Sequence, residues 1–313
     1  MSTALPRLLE LFAGIGGAAT AAAGLARVVA AVDIDRDALA VYQANFAHRV
    51  EVKNLEFLSA AELAGFEAEI WWLSPPCQPF TIKGRRRDHE DRRSRSLLAL
   101  IEHIAEVRPP RLALENVPGF AGSVTHGRLR AVLDATDYDV REFLLCPSEL
   151  GWPNRRRRFY LLASRVGLPA TVQPERSPRR RALAEFLDPA PAPEFRLDPA
   201  LVEHYHQALH RVEADDPEAV TACFASGYGR QIVRSGSYLI EPEGSWRRFS
   251  PREILRLLGF PEDYRLPAEL GALRAYDLVG NSLSIPAVRW VLKELGLGEE
   301  NGVDDRDEVD KMD

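Results

Sequence analysis

The sequence predicts an α/β protein in which helices cover both faces of a parallel sheet, followed by a second, smaller region. Two observations lead to this prediction. Over the first 165 residues, short apolar runs alternate with segments of helical periodicity. Over residues 169–199, the composition changes to include seven prolines and an arginine run, which is typical of a linker or hinge into another region.

The apolar runs are the candidate strands: Arg7 to Phe12, Val28 to Asp33, Ile70 to Ser74, Leu112 to Glu115, Val140 to Leu145 and Arg158 to Ala163. Among the helices, Ser96 to Val107 places its leucines and isoleucines on one face. A later helix should begin at Ser250, because Pro251 suits a first turn and Glu253 can complete a capping box. A last helix is expected over Pro286 to Leu295.

The net charge of -6 is concentrated at the end of the chain, since residues 299–313 hold eight acids and two bases. This acidic tail is expected to be disordered. In the remaining chain, arginines cluster at 85–87, 92–95, 155–158 and 179–181, and such patches suit phosphate backbones. Only four of the 40 basic residues are lysine, so a GC-rich genome would explain part of this pattern.

Several classes of protein are not favoured. The sequence has no apolar run long enough for a bilayer and no secretory signal, so no membrane partner is expected. Its three cysteines form no CxxC pair, which argues against a disulfide framework or a structural metal site. A reducing cytoplasm is the expected location.

A glycine turn follows the first strand, in the segment LLELFAGIGG that begins at Leu8. Such a turn lets a ligand approach the backbone, and the N-terminus of the following helix offers free N–H groups. Gly14, Gly16 and Ala19 satisfy the dinucleotide fingerprint, and Asp33 ends the next strand where a ribose hydroxyl would be bound. A nicotinamide oxidoreductase is therefore one alternative, and an S-adenosylmethionine enzyme is another.

A cysteine stands in a stiff turn directly after an apolar strand, in the segment SPPCQPFT from Ser74 to Thr81. Ligands bind at the carboxyl ends of strands in open α/β sheets, so the Cys77 thiol is a candidate nucleophile. Only a few per cent of an unperturbed thiol is ionised at neutral pH. The site should therefore assist ionisation, and nearby arginines or a helix N-terminus are the expected source.

Six motifs, in order along nearly the whole chain, resemble those of the cytosine-C5 methyltransferases: LFAGIGG, SPPCQPFT, LALENVPGF, GWPNRRRRFYLLAS, RRFSPREILRLLGFP and VGNSLSIPAV. The resemblance implies a Rossmann-like S-adenosylmethionine methyltransferase sheet. It assigns residues 1–187, completed by 271–298, to a catalytic domain and residues 188–270 to a small target-recognition domain. It also implies base flipping, or a substrate that already presents a looped-out base.

The same resemblance assigns the catalytic roles. Cys77 would add to C6 of cytosine, and Glu115 would bond N3 and the exocyclic amine and donate a proton at N3. Arg158 would hold O2, while Arg156 would brace the region of the nucleophile. Arg155 and Arg157 should then point the other way, toward solvent or phosphate.

Cofactor contacts are likewise implied only by the resemblance: Phe12, Ile15, Gly16, Gly17, Asp33, Asn54, Leu55, Ser74, Pro76, Asn281 and Ser282. Asn54 departs from the family, in which many members carry an acid that binds the adenine amine. The amide oxygen of Asn54 can still accept a hydrogen bond.

Residues 221–240 resemble a segment of the tRNA-aspartate cytosine methyltransferases, with Cys223-Phe224, Tyr228-Gly229 and Gly236-Ser237 matching and Ala225 replacing a threonine. This match, the paired prolines before Cys77 and the short second region favour tRNA as the substrate. A DNA methyltransferase is the alternative. A catalytically silent nucleic-acid binder is disfavoured by the intact Cys77, Glu115 and Arg158. Whether Cys223 is structural or chemical stays open, and Cys146 is expected in the core.

Overall fold

The computed structural model describes residues 4–80, 88–170 and 180–298. Within them, seven strands form the main sheet: β1 (Arg7–Leu11), β2 (Arg27–Asp33), β3 (Arg49–Val52), β4 (Ile70–Leu73), β5 (Arg111–Asn116), β6 (Asp139–Leu145) and β7 (Arg158–Ser164). Their order across the sheet is β3-β2-β1-β4-β5-β7-β6. The predicted α/β class is confirmed, and all six predicted strands are present with ends shifted by at most one residue.

Helices follow most of these strands: α1 (Gly17–Ala21), α2 (Arg36–Asn45), α3 (Ala60–Ala64), α4 (Arg95–Val107) and α5 (Val124–Ala135). Later in the chain come α6 (Pro199–Tyr205), α7 (Pro251–Leu258), α8 (Ala272–Asn281) and α9 (Ile285–Glu294). The capping box predicted at Ser250 is confirmed, since Ser250 and Glu253 bond each other's backbone N–H groups. None of the helices in the described residues is long and apolar enough to cross a membrane.

Both faces of the main sheet are buried, because successive strand residues enter two different cores. Leu8, Ile70 and Trp72 pack with α1, α2 and α9 on one face. Leu9 and Trp71 pack with α4 and α5 on the other face. A sheet buried on both sides explains why its central strands read as continuous apolar runs in the sequence.

One strand of the main sheet, β3, was not predicted from the sequence, and neither were the strands of the second sheet. β3 pairs only with β2 and lies at an edge of the main sheet. Its sequence RVEV has two charged residues, and none of its four side chains is fully buried. An edge strand of this kind carries no apolar run, so the pattern used for the other strands could not find it.

The prediction of a parallel sheet is wrong for one strand. β7 runs antiparallel to both of its neighbours, β5 and β6, whereas the other pairings in the sheet are parallel. Apolar periodicity gives no strand direction, so the sequence could not show this reversal. In consequence, the beginning of β7 lies at the same sheet edge as the carboxyl ends of β4 and β5.

A second, three-stranded sheet lies within residues 188–270 and comprises β8 (His210–Glu213), β9 (Ser237–Ile240) and β10 (Trp246–Arg248). From β10, the buried Arg247 donates two hydrogen bonds of 2.8 Å to the carboxylate of Glu253 in α7. Glu253 also accepts the N–H of Ser250, so one carboxylate joins the small sheet to the start of a helix. The predicted boundary between the two regions stays a prediction.

Some predicted features lie outside the described residues. These are Thr81, the arginines at 85–87, Arg179 and the acidic tail at 299–313.

Glu10 in β1 is fully buried beneath the glycine turn. Its carboxylate accepts the backbone N–H of Ala18 at 3.0 Å and the hydroxyl of Tyr42 at 3.2 Å. Burial raises the pKa of Glu10 from 4.5 to about 8, although these hydrogen bonds oppose the shift. Between about pH 4.5 and pH 8, the folded protein therefore keeps a proton on Glu10 that the unfolded chain releases.

We predict that Glu10→Gln flattens the dependence of stability on pH. Because the folded-state pKa is raised, the contribution of Glu10 is fully present below about pH 4.5 and is lost as pH rises toward about 8. The free energy of unfolding should therefore fall less steeply in the variant, by up to about 1.4 kcal/mol per pH unit. Urea unfolding at three pH values across this window measures the slope, with the exposed Glu102→Gln as control. Equal slopes for wild type and Glu10→Gln would contradict the prediction.

Candidate active site

Cys77 lies just beyond the carboxyl end of β4, in a turn that is tied to both neighbouring strands. The Ser74 hydroxyl donates to the carbonyl of Phe12 at 3.2 Å, which joins the turn to the end of β1. The Asn116 amide donates to the carbonyl of Pro75 at 3.2 Å, which joins the turn to β5. These bonds and the two prolines fix the backbone that carries the thiol.

The turn after Cys77 packs directly against the loop that follows β5. A Cβ atom placed on Gly119 would come within 2.4 Å of the carbonyl oxygen of Phe80, so only glycine fits there. The rings of Phe80 and Phe120 meet edge to face with centroids 4.9 Å apart. The cysteine turn and the Glu115 strand are therefore held together as one unit.

Glu115, near the carboxyl end of β5, is 7% exposed and forms an ion pair with Arg158 at the start of β7. The distance from Arg158 Nε to Glu115 Oε1 is 3.1 Å. Burial raises the pKa of the Glu115 carboxyl above its ordinary value, and the charges of Arg158 and Arg156 only partly offset this effect. A carboxyl in this environment can carry a proton more readily than an exposed one.

Arg156 is buried and connects the cysteine region with the last sequence motif. Its Nη1 and Nη2 donate to the carbonyl of Gly280 at 3.3 Å, and Nη2 also donates to the carbonyl of Ser282. Its Nε is buried without a hydrogen-bond partner. Arg155 and Arg157 are exposed, as the prediction of alternating directions requires. The arginine run therefore divides into two inward and two outward side chains.

Cys223 joins this site from residues 221–240. Its Sγ accepts from Arg156 Nη1 at 3.5 Å and from Arg158 Nη2 at 3.7 Å. Its segment is pressed against α8, because a Cβ on Gly280 would lie 2.5 Å from the backbone of Ala225. The Cys-Phe match marked this position in the sequence, but nothing there indicated the contact with both arginines.

The surroundings of the Cys77 thiol both oppose and favour its ionisation. Burial raises the pKa of Cys77, and the opposing charges of Arg158 and Arg156 do not overcome it, while Glu115 adds to the rise. The arginines act on Cys77 in the expected direction, but in the free protein burial outweighs them. The third cysteine, Cys146, is buried as predicted, with the Ser148 hydroxyl 3.1 Å from its sulfur.

The glycine turn is held by Asp33 at the end of β2. Asp33 Oδ2 accepts the N–H of Gly14 at 2.8 Å, and Oδ1 accepts the N–H of Asp35 at 2.9 Å. Phe12 and Gly16 adopt positive φ angles of 57° and 84°. This arrangement fixes the backbone of the turn from the side of the carboxylate.

The opposite side of the turn is packed against α2. A Cβ on Gly16 would lie 2.5 Å from the Phe46 ring and 2.9 Å from the Tyr42 ring. The Tyr264 hydroxyl donates to the carbonyl of Ile15, and Gly17 packs on Leu283. Pro76 remains beside the thiol in the cysteine turn. The predicted cofactor residues of the first two motifs therefore lie on neighbouring strands, β1, β2 and β4.

The remaining predicted cofactor residues fall into two groups. The Asn54 oxygen already accepts the N–H of Glu56 at 3.1 Å and the hydroxyl of Ser96 at 3.0 Å, and Leu55 is buried. Contact of Asn54 with an adenine amine therefore stays a prediction. The second group belongs to the last motif. There Asn281 is exposed, and the buried Ser282 Oγ has no hydrogen-bond partner.

Sequence reasoning missed an exposed apolar residue beside Asp33. Ile34, directly after β2, is 65% exposed, and Val52, the last residue of the neighbouring strand β3, is 46% exposed. Such side chains offer a flat ring an apolar surface. The unpartnered Ser282 hydroxyl and the Asp33 carboxylate offer polar partners, so the residues present fit an adenosyl ligand with a charged amino-acid end.

Within the described residues, no group of three or more His, Cys, Asp or Glu side chains could hold a metal ion. A cavity of about 620 Å³ lies behind the glycine turn, between α1, the end of α2 and the loop after α7. None of the predicted site residues lines that cavity, so it is separate from the chemistry of Cys77.

The model of the C-5 cytosine-specific DNA methylase family matches residues 6–211 and 218–297. The chain belongs to this family. It is thus a cytosine-C5 methyltransferase, and the alternative of a nicotinamide oxidoreductase is not retained. Cytosine-C5 methyltransferases of this family use S-adenosylmethionine.

Individual relatives match over nearly the whole chain. A rat protein named tRNA (cytosine(38)-C(5))-methyltransferase is 29% identical, with 92% of this chain and 98% of the relative covered. A Dictyostelium discoideum protein named DNA (cytosine-5)-methyltransferase is also 29% identical, with 92% and 94% covered. The structure of the Entamoeba histolytica methyltransferase EhMeth superposes with a TM-score of 0.86 at 25% identity, covering 94% of this chain and 98% of that one. The predicted Rossmann-like fold is confirmed.

We predict that Gly119→Ala lowers methyl transfer by about 10- to 100-fold, because the added Cβ must push the Glu115 loop away from the cysteine turn. Gly127→Ala is the matched control, since a Cβ on Gly127 in α5 would meet nothing within 4 Å. Incorporation of a labelled methyl group measures activity, and circular dichroism shows that both variants are folded. Full activity in folded Gly119→Ala would contradict the packing described here.

Proposed function

We propose that this enzyme methylates C5 of cytosine in tRNA, within an anticodon loop, through a transient bond between Cys77 Sγ and C6 of the base. The observation that carries the proposal is the meeting of Cys77, Glu115 and Arg158 at one edge of the sheet. These groups come from three adjacent strands, and the ion pair between Glu115 and Arg158 has a 3.1 Å separation. They are the groups that addition to a cytosine ring requires.

Carbon 5 of cytosine is a weak nucleophile, and addition of a thiolate at C6 makes it reactive. Cys77 supplies this thiolate. Glu115 donates a proton to N3 as the sulfur adds, which limits negative charge on the ring. Burial raises the pKa of Glu115, so the carboxyl holds that proton closer to neutral pH than an exposed glutamate would. Arg158 binds O2 and fixes the orientation of the ring.

S-adenosylmethionine supplies the electrophilic methyl group when it is bound. The Asp33 carboxylate, which already accepts the N–H groups of Gly14 and Asp35, would bind the ribose, and Ile34 would face the adenine. The bent backbone from Phe12 to Gly17 and the free hydroxyl of Ser282 would hold the amino-acid end. Asn281 and Pro76 would complete the enclosure.

Two observations favour tRNA over DNA. Residues 221–240, which resemble the tRNA-aspartate enzymes, form part of the site itself, because Cys223 contacts both inward arginines. The second sheet has three short strands in the described residues, which offers little surface for reading several base pairs. A tRNA loop already exposes its bases.

A DNA (cytosine-5-)-methyltransferase is the second candidate. It is favoured by the Dictyostelium relative, whose name specifies DNA and whose identity equals that of the rat relative. For either substrate, we place the reaction in a reducing cytoplasm, because the catalytic step needs Cys77 as a free thiol and the three cysteines are unpaired.

The substrate is tested by offering total tRNA and genomic DNA in parallel with methyl-labelled S-adenosylmethionine. We expect label in tRNA cytosines, and none in either substrate with Cys77→Ala, because the ring is then not activated. Cys146→Ala, which removes a thiol outside the site, should keep activity. Label only in DNA would replace the tRNA proposal with the second candidate. Methylation by Cys77→Ala would contradict the covalent route.

A further inference from the structure

Cys223 occupies an unusual position for a cysteine that forms no disulfide. It lies within hydrogen-bond distance of two guanidinium groups, those of Arg156 and Arg158, and its segment is locked onto α8. A neutral thiol is a weak acceptor for two cations, whereas a thiolate is a strong one. The geometry therefore favours a negatively charged sulfur at this place.

The charges around Cys223 can be enumerated from the elements that face it. Two cations, Arg156 and Arg158, are shared by three acidic groups, which are Glu115, Cys77 and Cys223. When Cys223 is ionised, it balances one of the two guanidinium charges, and Arg158 is also paired with Glu115, so less positive potential remains for Cys77.

Other charged groups do not change this balance. The Tyr160 hydroxyl interacts with Glu115 and stays protonated, because burial raises its pKa. Arg93 interacts electrostatically with Cys77, but its Nε and Nη2 donate to the carboxylate of Asp91 at 2.9 and 2.7 Å.

We propose that Cys223 is a positioning residue that, as a thiolate, holds the guanidinium groups of Arg156 and Arg158 and neutralises part of their charge, so that Cys77 remains a thiol in the free enzyme. This inference rests on the proposed role of Cys77 as nucleophile. Ionisation of Cys77 is then coupled to the arrival of a substrate that engages Arg158. A nucleophile protected in this way does not react with other electrophiles while the site is empty.

The acidities of the two thiols support the same division of charge. Burial would raise the pKa of Cys223, but the charges of Arg158 and Arg156 outweigh it and lower that pKa below its ordinary value. At Cys77 the same two arginines do not overcome burial. The other contacts of the arginines, to Glu115, Gly280 and Ser282, would keep them in place when the Cys223 sulfur is removed.

The test is the pH dependence of alkylation of each thiol by iodoacetamide, resolved by peptide mass spectrometry on the full chain without nucleic acid. In wild type, Cys223 should react at lower pH than Cys77. In Cys223→Ala and Cys223→Ser, the profile of Cys77 should move to lower pH by about 0.5–1 unit, because a neighbouring negative charge is gone. Cys223→Asp restores a fixed charge and should return the profile toward wild type.

Cys146→Ala is the control, since this thiol contacts neither arginine, and it should leave the Cys77 profile unchanged. An unchanged Cys77 profile in both neutral Cys223 variants would overturn the proposal, as would a shift to higher pH or a Cys223 less acidic than Cys77. The experiment needs no substrate. If the Cys77 profile shifts but tRNA is not labelled in the methylation assay, the proposed substrate is rejected and the role of Cys223 is retained. If tRNA is labelled but the Cys77 profile does not shift, the substrate is retained and the role of Cys223 is rejected.

Discussion

The antiparallel pairing of β5 with β7 is the constraint on which the active site depends. Because β7 runs against its neighbours, its first residue, Arg158, lies at the edge where β4 and β5 end. In a fully parallel sheet, the start of that strand would lie at the opposite edge, a strand's length from Glu115. The reversal therefore brings a guanidinium to within 3.1 Å of a buried carboxylate and close to the nucleophile.

Burial and charge oppose each other throughout this site. Burial raises the pKa of Glu115, which suits the proposed role of this carboxyl as a proton donor. It also raises the pKa of Cys77, which keeps the proposed nucleophile a thiol in the free protein. Two arginines act on both groups, and Cys223 gives them a further acceptor. An ionised Cys223, as proposed, thus leaves less positive potential for Cys77 in the free enzyme.

The sequence was sufficient for the site residues whose signal is local. The glycine turn, Cys77 after an apolar strand and Glu115 at a strand end could each be named from a few neighbouring residues. The direction of β7 could not, because alternation of side chains is the same in either direction. The contacts of Cys223 with Arg156 and Arg158 join segments 65 or more residues apart, and only the folded chain shows them. The sequence indicated that nearby arginines would favour ionisation of Cys77, but it could not show that burial outweighs them, because that balance depends on the three-dimensional structure.

The transient bond between Cys77 and a cytosine ring is tested most directly with tRNA that contains 5-fluorocytidine. Release of the sulfur requires loss of the C5 hydrogen as a proton. With fluorine in place of that hydrogen, the ring stays attached to the sulfur after methylation. With S-adenosylmethionine present, we expect a denaturation-resistant adduct that maps to the peptide containing Cys77 and is absent in Cys77→Ala. Methylation of ordinary tRNA without any adduct on the fluorinated substrate would contradict this mechanism.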